Sequence, residues 1–307
     1  MTRGHESAEG RFDAGVIITI VIAVVWWGSA PVGIRAALGG YRPAHLSLFR
    51  FGIASVLLAI YAAFAGVRMP ERRDWLWLTL TGAIGITFYN IILNYGLQTV
   101  PAATGSFVIS TTPIWTALLA VITLGERLTL WGWAGILISF AGIALISRER
   151  GNGLHFSSGA LIILVGAISY GVYLVLQKRF LRRYTPFEVT CYAFWAGTLL
   201  MVPFAPGLLG EIRGAPRDAT WSVVYLGIFP AALANWAWAY AMSRAGAARV
   251  SSYLYLMPVV TVAIGWAWLG EVPTALELTG GLVALGGVVI MHRWGHAQAQ
   301  PGMLVAK

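Results

Sequence analysis

The second half of this chain repeats the first half at a nearly constant spacing of 145 residues. Between positions 90 and 148, 15 of the 59 residues recur unchanged at that spacing, and a spacing of 143 aligns the segments before them. Each copy contains about five long apolar segments. Because five crossings leave a chain on the opposite side of a membrane, the second copy must enter from the other face. The matched residues include Asn90 and Asn235, Tyr95 and Tyr240, Ser106 and Ser251, Pro113 and Pro258, and Gly125-Glu126 and Gly270-Glu271.

This repeat predicts an all-α membrane protein of ten transmembrane helices, arranged as two inverted five-helix repeats at 15–148 and 155–293. About 20 apolar residues are needed to cross the hydrocarbon core of a bilayer. The longest polar connections are expected near 148–157 and 207–218. The predicted spans are 15–34, 44–65, 74–97, 102–124, 129–147, 158–179, 186–206, 219–242, 247–269 and 274–293.

The composition agrees with a lipid bilayer as the surrounding medium. The chain is 58% hydrophobic and 11% charged, whereas soluble domains have about 25% charged residues. The net charge of +9 comes from Lys and Arg in short loops, so no nucleic-acid partner is predicted. The single cysteine, Cys191, excludes an internal disulfide and a cysteine-based metal site.

The distribution of basic residues predicts the orientation. With the N-terminus inside, fourteen Lys and Arg lie in inside segments and six in outside loops. This bias predicts a multi-pass protein of the inner (plasma) membrane with both termini in the cytoplasm. The segment 15–34 follows a polar N-terminus and is long enough to span, so it is interpreted as an uncleaved first helix, not a signal peptide.

Catalytic chemistry has no support in the sequence. Every Asp, Glu and His lies at a span end, in a loop or in a tail, which argues against a carboxylate-based proton carrier. No HExxH helix, no GxSxG elbow with a mid-membrane His and no paired carboxylates are present. The chain is therefore not expected to be an enzyme, and no cofactor or metal is expected. Rings of charged residues that would line a channel are also missing.

Neutral polar and aromatic residues supply the candidate binding site. A cavity lined by amides, hydroxyls and aromatic rings could hold a zwitterion together with an apolar or aromatic side chain. The alternative is that Ser, Thr and Asn bind helices together and that Trp and Tyr form interfacial belts. The candidate substrate-binding residues are Trp26, Trp27, Tyr89, Asn90, Asn94, Ser110, Tyr170, Tyr173, Asn235, Trp238 and Tyr255.

Pro113 and Pro258 lie near the middle of their spans and are candidate hinges, because proline removes a helical hydrogen bond and bends the helix. A static kink that aids packing is the alternative. Arg50, Glu126 and Glu271 are candidate gate residues. Arg50 is the one charge well inside a span, and it could extend outward to water, cap freed carbonyls, or bind a substrate carboxylate.

Stripes of small residues in the fifth and tenth spans predict close helix packing, either within the bundle or in a homodimer. Their members are Gly135, Ser139 and Gly142, and Gly280, Ala284 and Gly287.

Several strings resemble those of the EamA type of the drug/metabolite transporter superfamily. They are WWGSAPVGIRAAL in the first span, LSLFRFGIA in the second, and the paired segments that begin ATGSFVIS and AARVSSYL. The resemblance covers roughly 15–293, and bacterial amino-acid exporters of the YddG kind are similar in size and layout.

The resemblance implies a secondary transporter that moves a small organic metabolite, with amino-acid export as the leading expectation. Transport of a nucleotide-sugar or a drug-like cation is an alternative within the same class. A membrane-embedded sensor or assembly factor is the alternative from another class, and the two symmetric halves argue against it.

Overall fold

The computed structural model describes residues 14–124, 128–146, 157–181, 183–245, 250 and 252–295. Within these residues the regular structure is helical and contains no strand. The α-helices are α1 Ala14–Ala37, α2 Pro43–Ala65, α3 Trp75–Gly82, α4 Tyr89–Gly96, α5 Ala102–Ile109, α6 Thr112–Leu124, α7 Leu130–Ile146, α8 Ser158–Phe180, α9 Pro186–Met201, α10 Leu208–Gly214, α11 Arg217–Leu226, α12 Ala234–Ala245, α13 Met257–Leu269 and α14 Ala275–Trp294.

Eight of the described helical segments are long and apolar enough to cross a membrane. Two further apolar helices, Leu130–Leu145 and Tyr253–Leu269, are shorter; they lie where the sequence predicts the fifth and ninth spans. The eight segments are Ala14–Ala37, Pro43–Ala65, Arg72–Gly96, Ala102–Thr123, Ser158–Phe180, Pro186–Phe204, Arg217–Ala241 and Ala275–Trp294.

The polar connection predicted near 207–218 contains an additional short helix, α10. It begins after Gly207, whose φ of +91° lies in the left-handed region that favours glycine. Its Glu211 side chain lies next to Arg42 and His45 at the start of α2. These contacts hold the connection against the bundle, which the polarity of the segment alone did not indicate.

Helix starts follow the local sequence. Pro43 and Pro186 occupy the first turns of α2 and α9, where the missing N–H removes no helical bond. Thr185 and Thr274 form capping boxes at the starts of α9 and α14, with Glu188 and Glu277 as their partners. Each box satisfies two backbone N–H groups that would otherwise lack partners.

Two π-helical segments interrupt the helices that hold Asn90 and Asn235. Segment π1, Ala83–Phe88, joins α3 to α4, and segment π2, Gly227–Leu233, joins α11 to α12. The second begins 144 and ends 145 residues after the first. They therefore occupy matching positions in the two copies. Such π turns often lie at functional sites.

The two candidate hinge prolines follow breaks in helices. Pro113 is the second residue of α6, after α5 has ended at Ile109. Pro258 is the second residue of α13, after a short 3-10 turn at Ser252–Leu256. Each proline thus begins a new helix, where it costs no backbone hydrogen bond.

The first helix of each copy packs mainly against the other copy. Helix α1 contacts α11, α12 and α13, whereas α8 contacts α4, α5, α6 and π1. The two copies are consequently interlocked through α1 and α8, which we call the central helices.

Helices α7 and α14 form the most extensive helix pair. A Cβ atom placed on Gly142 would lie 2.4 Å from the backbone nitrogen of Ala284, and one on Gly135 would lie 2.6 Å from the carbonyl of Gly287. Ser139 Oγ donates to the carbonyl of Ala284 at 2.5 Å. The small-residue stripes thus pack against each other within this chain.

Candidate functional site

Side chains from two directions satisfy carbonyl groups of segment π1. The Asn90 amide donates to the carbonyl of Ile86 at 2.9 Å, within its own helix. Ser169 of α8 donates to the carbonyl of Ile84 at 2.9 Å. A π turn disturbs the regular backbone bonding of a helix, and these donors compensate for that.

Segment π2 has the same arrangement with different side chains. The Asn235 amide donates to the carbonyl of Ala231 at 2.8 Å. The indole of Trp27, on α1, donates to the carbonyl of Pro230 at 3.0 Å. Each π segment therefore accepts one side-chain hydrogen bond from the asparagine that follows it. It accepts a second from the central helix that begins the other copy.

Three tyrosines form a continuous aromatic ladder beside π1. The rings of Tyr89 and Tyr170 have centroids 4.7 Å apart, and those of Tyr170 and Tyr173 are stacked at 5.2 Å. Gly85 makes this approach feasible, since a Cβ atom there would lie 2.1 Å from the Tyr173 ring. Gln177 donates to the Tyr173 hydroxyl. The ladder offers apolar ring faces together with hydroxyl groups.

Tryptophans occupy the corresponding place beside π2. The rings of Trp27 and Trp238 are 5.1 Å apart, and those of Trp26 and Phe229 are 5.3 Å apart. The ring of Phe229 also lies 5.3 Å from Tyr225. Both π segments are therefore flanked by aromatic side chains from a central helix.

Arg50 of α2 is buried, with 8% of its surface exposed. Its guanidinium lies over the Phe51 ring at 4.9 Å, and Phe51 belongs to the buried cluster that contains Tyr173. Its Nε and Nη1 atoms have no hydrogen-bond partner. The Arg50 backbone carbonyl lies against Gly227, at the start of π2. Arg50 thus connects the tyrosine ladder with the second π segment.

Three of the predicted binding residues lie away from the two π segments. The buried Asn94 amide donates to the carbonyl of Pro43 at 3.1 Å and to Ser47 Oγ at 2.9 Å, so it holds α4 against α2. Ser110 donates to a carbonyl of its own helix. Tyr255 packs edge-on against His292 of α14 at 5.9 Å. Tyr89, Asn90, Tyr170 and Tyr173 do come together, as do Trp26, Trp27, Asn235 and Trp238.

Charged and polar groups join four helix ends at the end of the bundle that holds Arg35. Arg35 Nε lies 2.8 Å from Glu271 Oε1, and its Nη1 donates to the carbonyl of Leu97 at 3.0 Å. Glu271 Oε2 accepts the backbone N–H of Ala102 at 2.7 Å. We call these four residues the Arg35 seal. Glu126, the other acidic gate candidate, lies outside the described residues.

Sequence reasoning missed Thr261 of α13, which connects α1 and α5. Its hydroxyl is buried, at 2.6 Å from the Gly28 carbonyl of α1 and 3.1 Å from Ser106 Oγ of α5. The repeat contained a signal for it, because Thr116 recurs as Thr261 at the spacing of 145. Thr116 in turn lies beside Gly171 of α8.

The eight long apolar helices are those of a multi-pass membrane protein. A family model described as "EamA-like transporter family" matches residues 14–148 and 157–293. The chain belongs to the EamA-like transporter family.

Named relatives cover nearly the whole chain. A protein of Streptantibioticus cattleyicolor named "Probable terminal-alkyne amino-acid exporter" is 42% identical over 274 residues, covering 89% of this chain and 92% of the relative. The "Uncharacterized transporter YdfC" of Bacillus subtilis is 38% identical over 277 residues, covering 90% of each. A solved crystal structure aligns with a TM-score of 0.59 at 23% identity, over 90% of this chain and 95% of that one, and supports the fold alone.

Proposed function

We propose that this protein exports amino acids across the inner membrane by alternating access of two inverted five-helix repeats with ten spans. The observation that carries the proposal is the pair of π segments, each bonded by the central helix of the other copy. Because α1 and α8 are each hydrogen-bonded to the other copy, a movement of one copy must also displace a helix of the other. This coupling is what alternating access needs, since one side has to close as the other opens.

The chemistry of the two π regions fits an amino acid. Tyrosine hydroxyls and the Oδ1 atoms of Asn90 and Asn235 could accept hydrogen bonds from the ammonium group. The aromatic rings could receive an apolar side chain. The name of the 42% identical relative, which contains the words amino-acid exporter, points the same way.

The Arg35 seal closes one end of the bundle, and we assign that end to the outside. The Lys and Arg counts favour both termini in the cytoplasm, and in that orientation the C-terminal end of α1 lies on the other face. Export then requires that the seal opens after substrate has entered from the cytoplasm. Domains at 15–148 and 155–293 would rock against each other around α1 and α8.

Counterflow in proteoliposomes tests the proposal. Vesicles that hold the purified protein are loaded with an unlabelled amino acid, and entry of a labelled one is followed. We expect accumulation of L-phenylalanine or of L-propargylglycine, a terminal-alkyne amino acid, above protein-free vesicles. A labelled nucleotide-sugar and a labelled organic cation serve as comparisons. Accumulation of either comparison compound, with none of any amino acid, would contradict amino-acid export.

A further inference from the structure

Arg50 carries a full positive charge in the interior of the bundle, and among the described residues it has no anionic partner. It lies seven residues after Pro43, about 10 Å below the end of α2 at 1.5 Å per residue. Its Nε and Nη1 atoms have neither solvent contact nor a hydrogen-bond partner. An unpaired cation at this depth is costly, and charged residues inside spans usually mark a functional site.

Two of the three roles that the sequence allows for Arg50 do not fit the structure. An arginine that reaches out to water would expose its guanidinium, yet Arg50 is only 8% exposed. An arginine that caps freed carbonyls would donate to them, yet Nε and Nη1 donate to nothing. At the π segments the carbonyls are bonded by Asn90, Ser169 and other side chains instead.

The described carboxylates near the helix ends are already engaged. Glu211 lies 3.2 Å from Arg42, and 2.8 Å from His45 Nδ1 without the alignment of a hydrogen bond. Glu271 is bound to Arg35 at 2.8 Å. Among the described residues, no carboxylate lies within ion-pair distance of Arg50. Arg50 is thus the one buried arginine among the described residues that has no carboxylate beside it.

We propose that Arg50 binds the carboxylate of the transported molecule, in a site that the Tyr89–Tyr170–Tyr173 ladder continues. A guanidinium presents parallel N–H groups that match the two oxygens of a carboxylate. The Arg50 guanidinium lies over Phe51, which shares a buried cluster with Tyr173, and Tyr170 packs against the same cluster. The carboxylate would bind at the arginine and an apolar or aromatic side chain would lie along the rings. This inference rests on the proposed function and adds the group that selects the substrate.

Matched acids and amides test the site directly. Binding to the purified full-length protein is measured by calorimetry at about pH 6, where the α-amino groups are protonated. The probes are L-phenylalanine and L-phenylalaninamide, together with phenylacetate and phenylacetamide. We expect the wild type to bind each acid at least tenfold more tightly than its amide, as loss of a charge-assisted pair implies. In Arg50→Gln this ratio should fall to about one.

Two further variants control for folding and for general charge effects. Arg50→Lys keeps the charge but cannot offer two parallel N–H groups to a carboxylate, so its acid-to-amide ratio should fall several-fold. If Arg50→Gln does not fold, this variant provides the test. Arg42→Gln removes an exposed arginine at the start of the same helix and should leave the ratio unchanged. A wild-type ratio that persists in both Arg50 variants would overturn the inference.

The two pairs of probes separate this inference from the proposed function. If phenylacetate binds through Arg50 but L-phenylalanine does not, the carboxylate site stands and amino-acid export falls. If neither acid binds more tightly than its amide, the carboxylate site is wrong, whatever the protein transports.

Discussion

At the residue scale, Asn90 and Asn235 perform the same task in two different helices. Each donates its amide to a carbonyl four residues earlier, inside a π segment. Asn90 is 4% exposed, so water cannot replace its amide easily. Because both copies of the repeat have asparagine here, the sequence predicted a role for both positions. The sequence could not show whether the amides contact a substrate or stabilise a turn, since both roles need the same side chain.

We predict that Asn90→Ala and Asn235→Ala each destabilise the protein by about 1 kcal/mol and reduce counterflow about fivefold to tenfold. The reason is that each leaves a π-segment carbonyl without its donor. Thermal unfolding in detergent and proteoliposome counterflow measure the two effects.

Thr279→Val is the matched control for the asparagine variants. Its hydroxyl also bonds to the carbonyl four residues earlier, but in a regular, exposed part of α14, where the backbone already satisfies that carbonyl. It should change neither stability nor rate. Normal counterflow by both alanine variants at normal surface expression would show that the amides are not needed for transport.

At the element scale, the eight long apolar segments were predictable and the π segments were not. Long apolar segments with proline near their starts predicted the helices to within a few residues. The segments AIGITF and GIFPAAL are apolar and would fit an α-helix as well as a π turn. Contacts from α1 and α8 stabilise the π form, and such tertiary contacts leave no periodic pattern in the sequence. The stacking of the candidate tyrosines was not predictable for a related reason. It needs a residue without a side chain at Gly85, and Gly85 is distant in the sequence from Tyr173, the ring that packs against it.

We predict that Gly142→Ala separates α7 from α14 and destabilises the protein by about 1–3 kcal/mol. The added methyl group would meet the backbone of Gly280 and Ala284 at 2.4–2.6 Å, and backbone atoms cannot turn aside as a flexible side chain can. Gly286→Ala in α14 has open space around the new atom and should be neutral or slightly stabilising. Equal thermal stability of the two variants would mean that the pair is not closely packed.

The Arg35 seal gives a prediction about movement of helix ends. In a Cys191→Ala background, a cysteine at the buried Ala103 reports access from the outside to a membrane-impermeant thiol reagent. Glu271→Gln removes the ion pair with Arg35, so labelling should become about tenfold faster, as loss of roughly 1.4 kcal/mol implies. Glu211→Gln, which breaks the neighbouring contacts with Arg42 and His45, should not accelerate it. Equal acceleration by both variants would assign the closure to general charge effects.

At the scale of the whole molecule, the positions of the charges bear on how transport is driven. In the described part of the chain, the carboxylates lie at helix ends: Asp74 is bonded to Tyr184 at 2.9 Å, and Glu271 belongs to the Arg35 seal. Burial raises the pKa of Tyr184, so it remains a neutral donor to Asp74. The charge well inside a span, Arg50, is a cation. No described carboxylate is therefore placed to carry a proton across the middle of the membrane.

We predict that the protein catalyses substrate counterflow without an imposed proton gradient, and that net export follows the gradient of the substrate itself. Proteoliposomes with equal internal and external pH test this, with an uncoupler added to remove any gradient that develops. Counterflow should appear and should not change when the uncoupler is present.

A proton could still travel on the substrate or on a carboxylate at a gate, and Glu271 and Glu126 are the two candidates. If transport required a pH difference and Glu271→Gln or Glu126→Gln abolished it, the helix-end carboxylates would be the coupling groups. In Glu271→Gln, faster labelling of the cysteine at position 103 together with unchanged counterflow would instead show that the seal controls access without carrying protons.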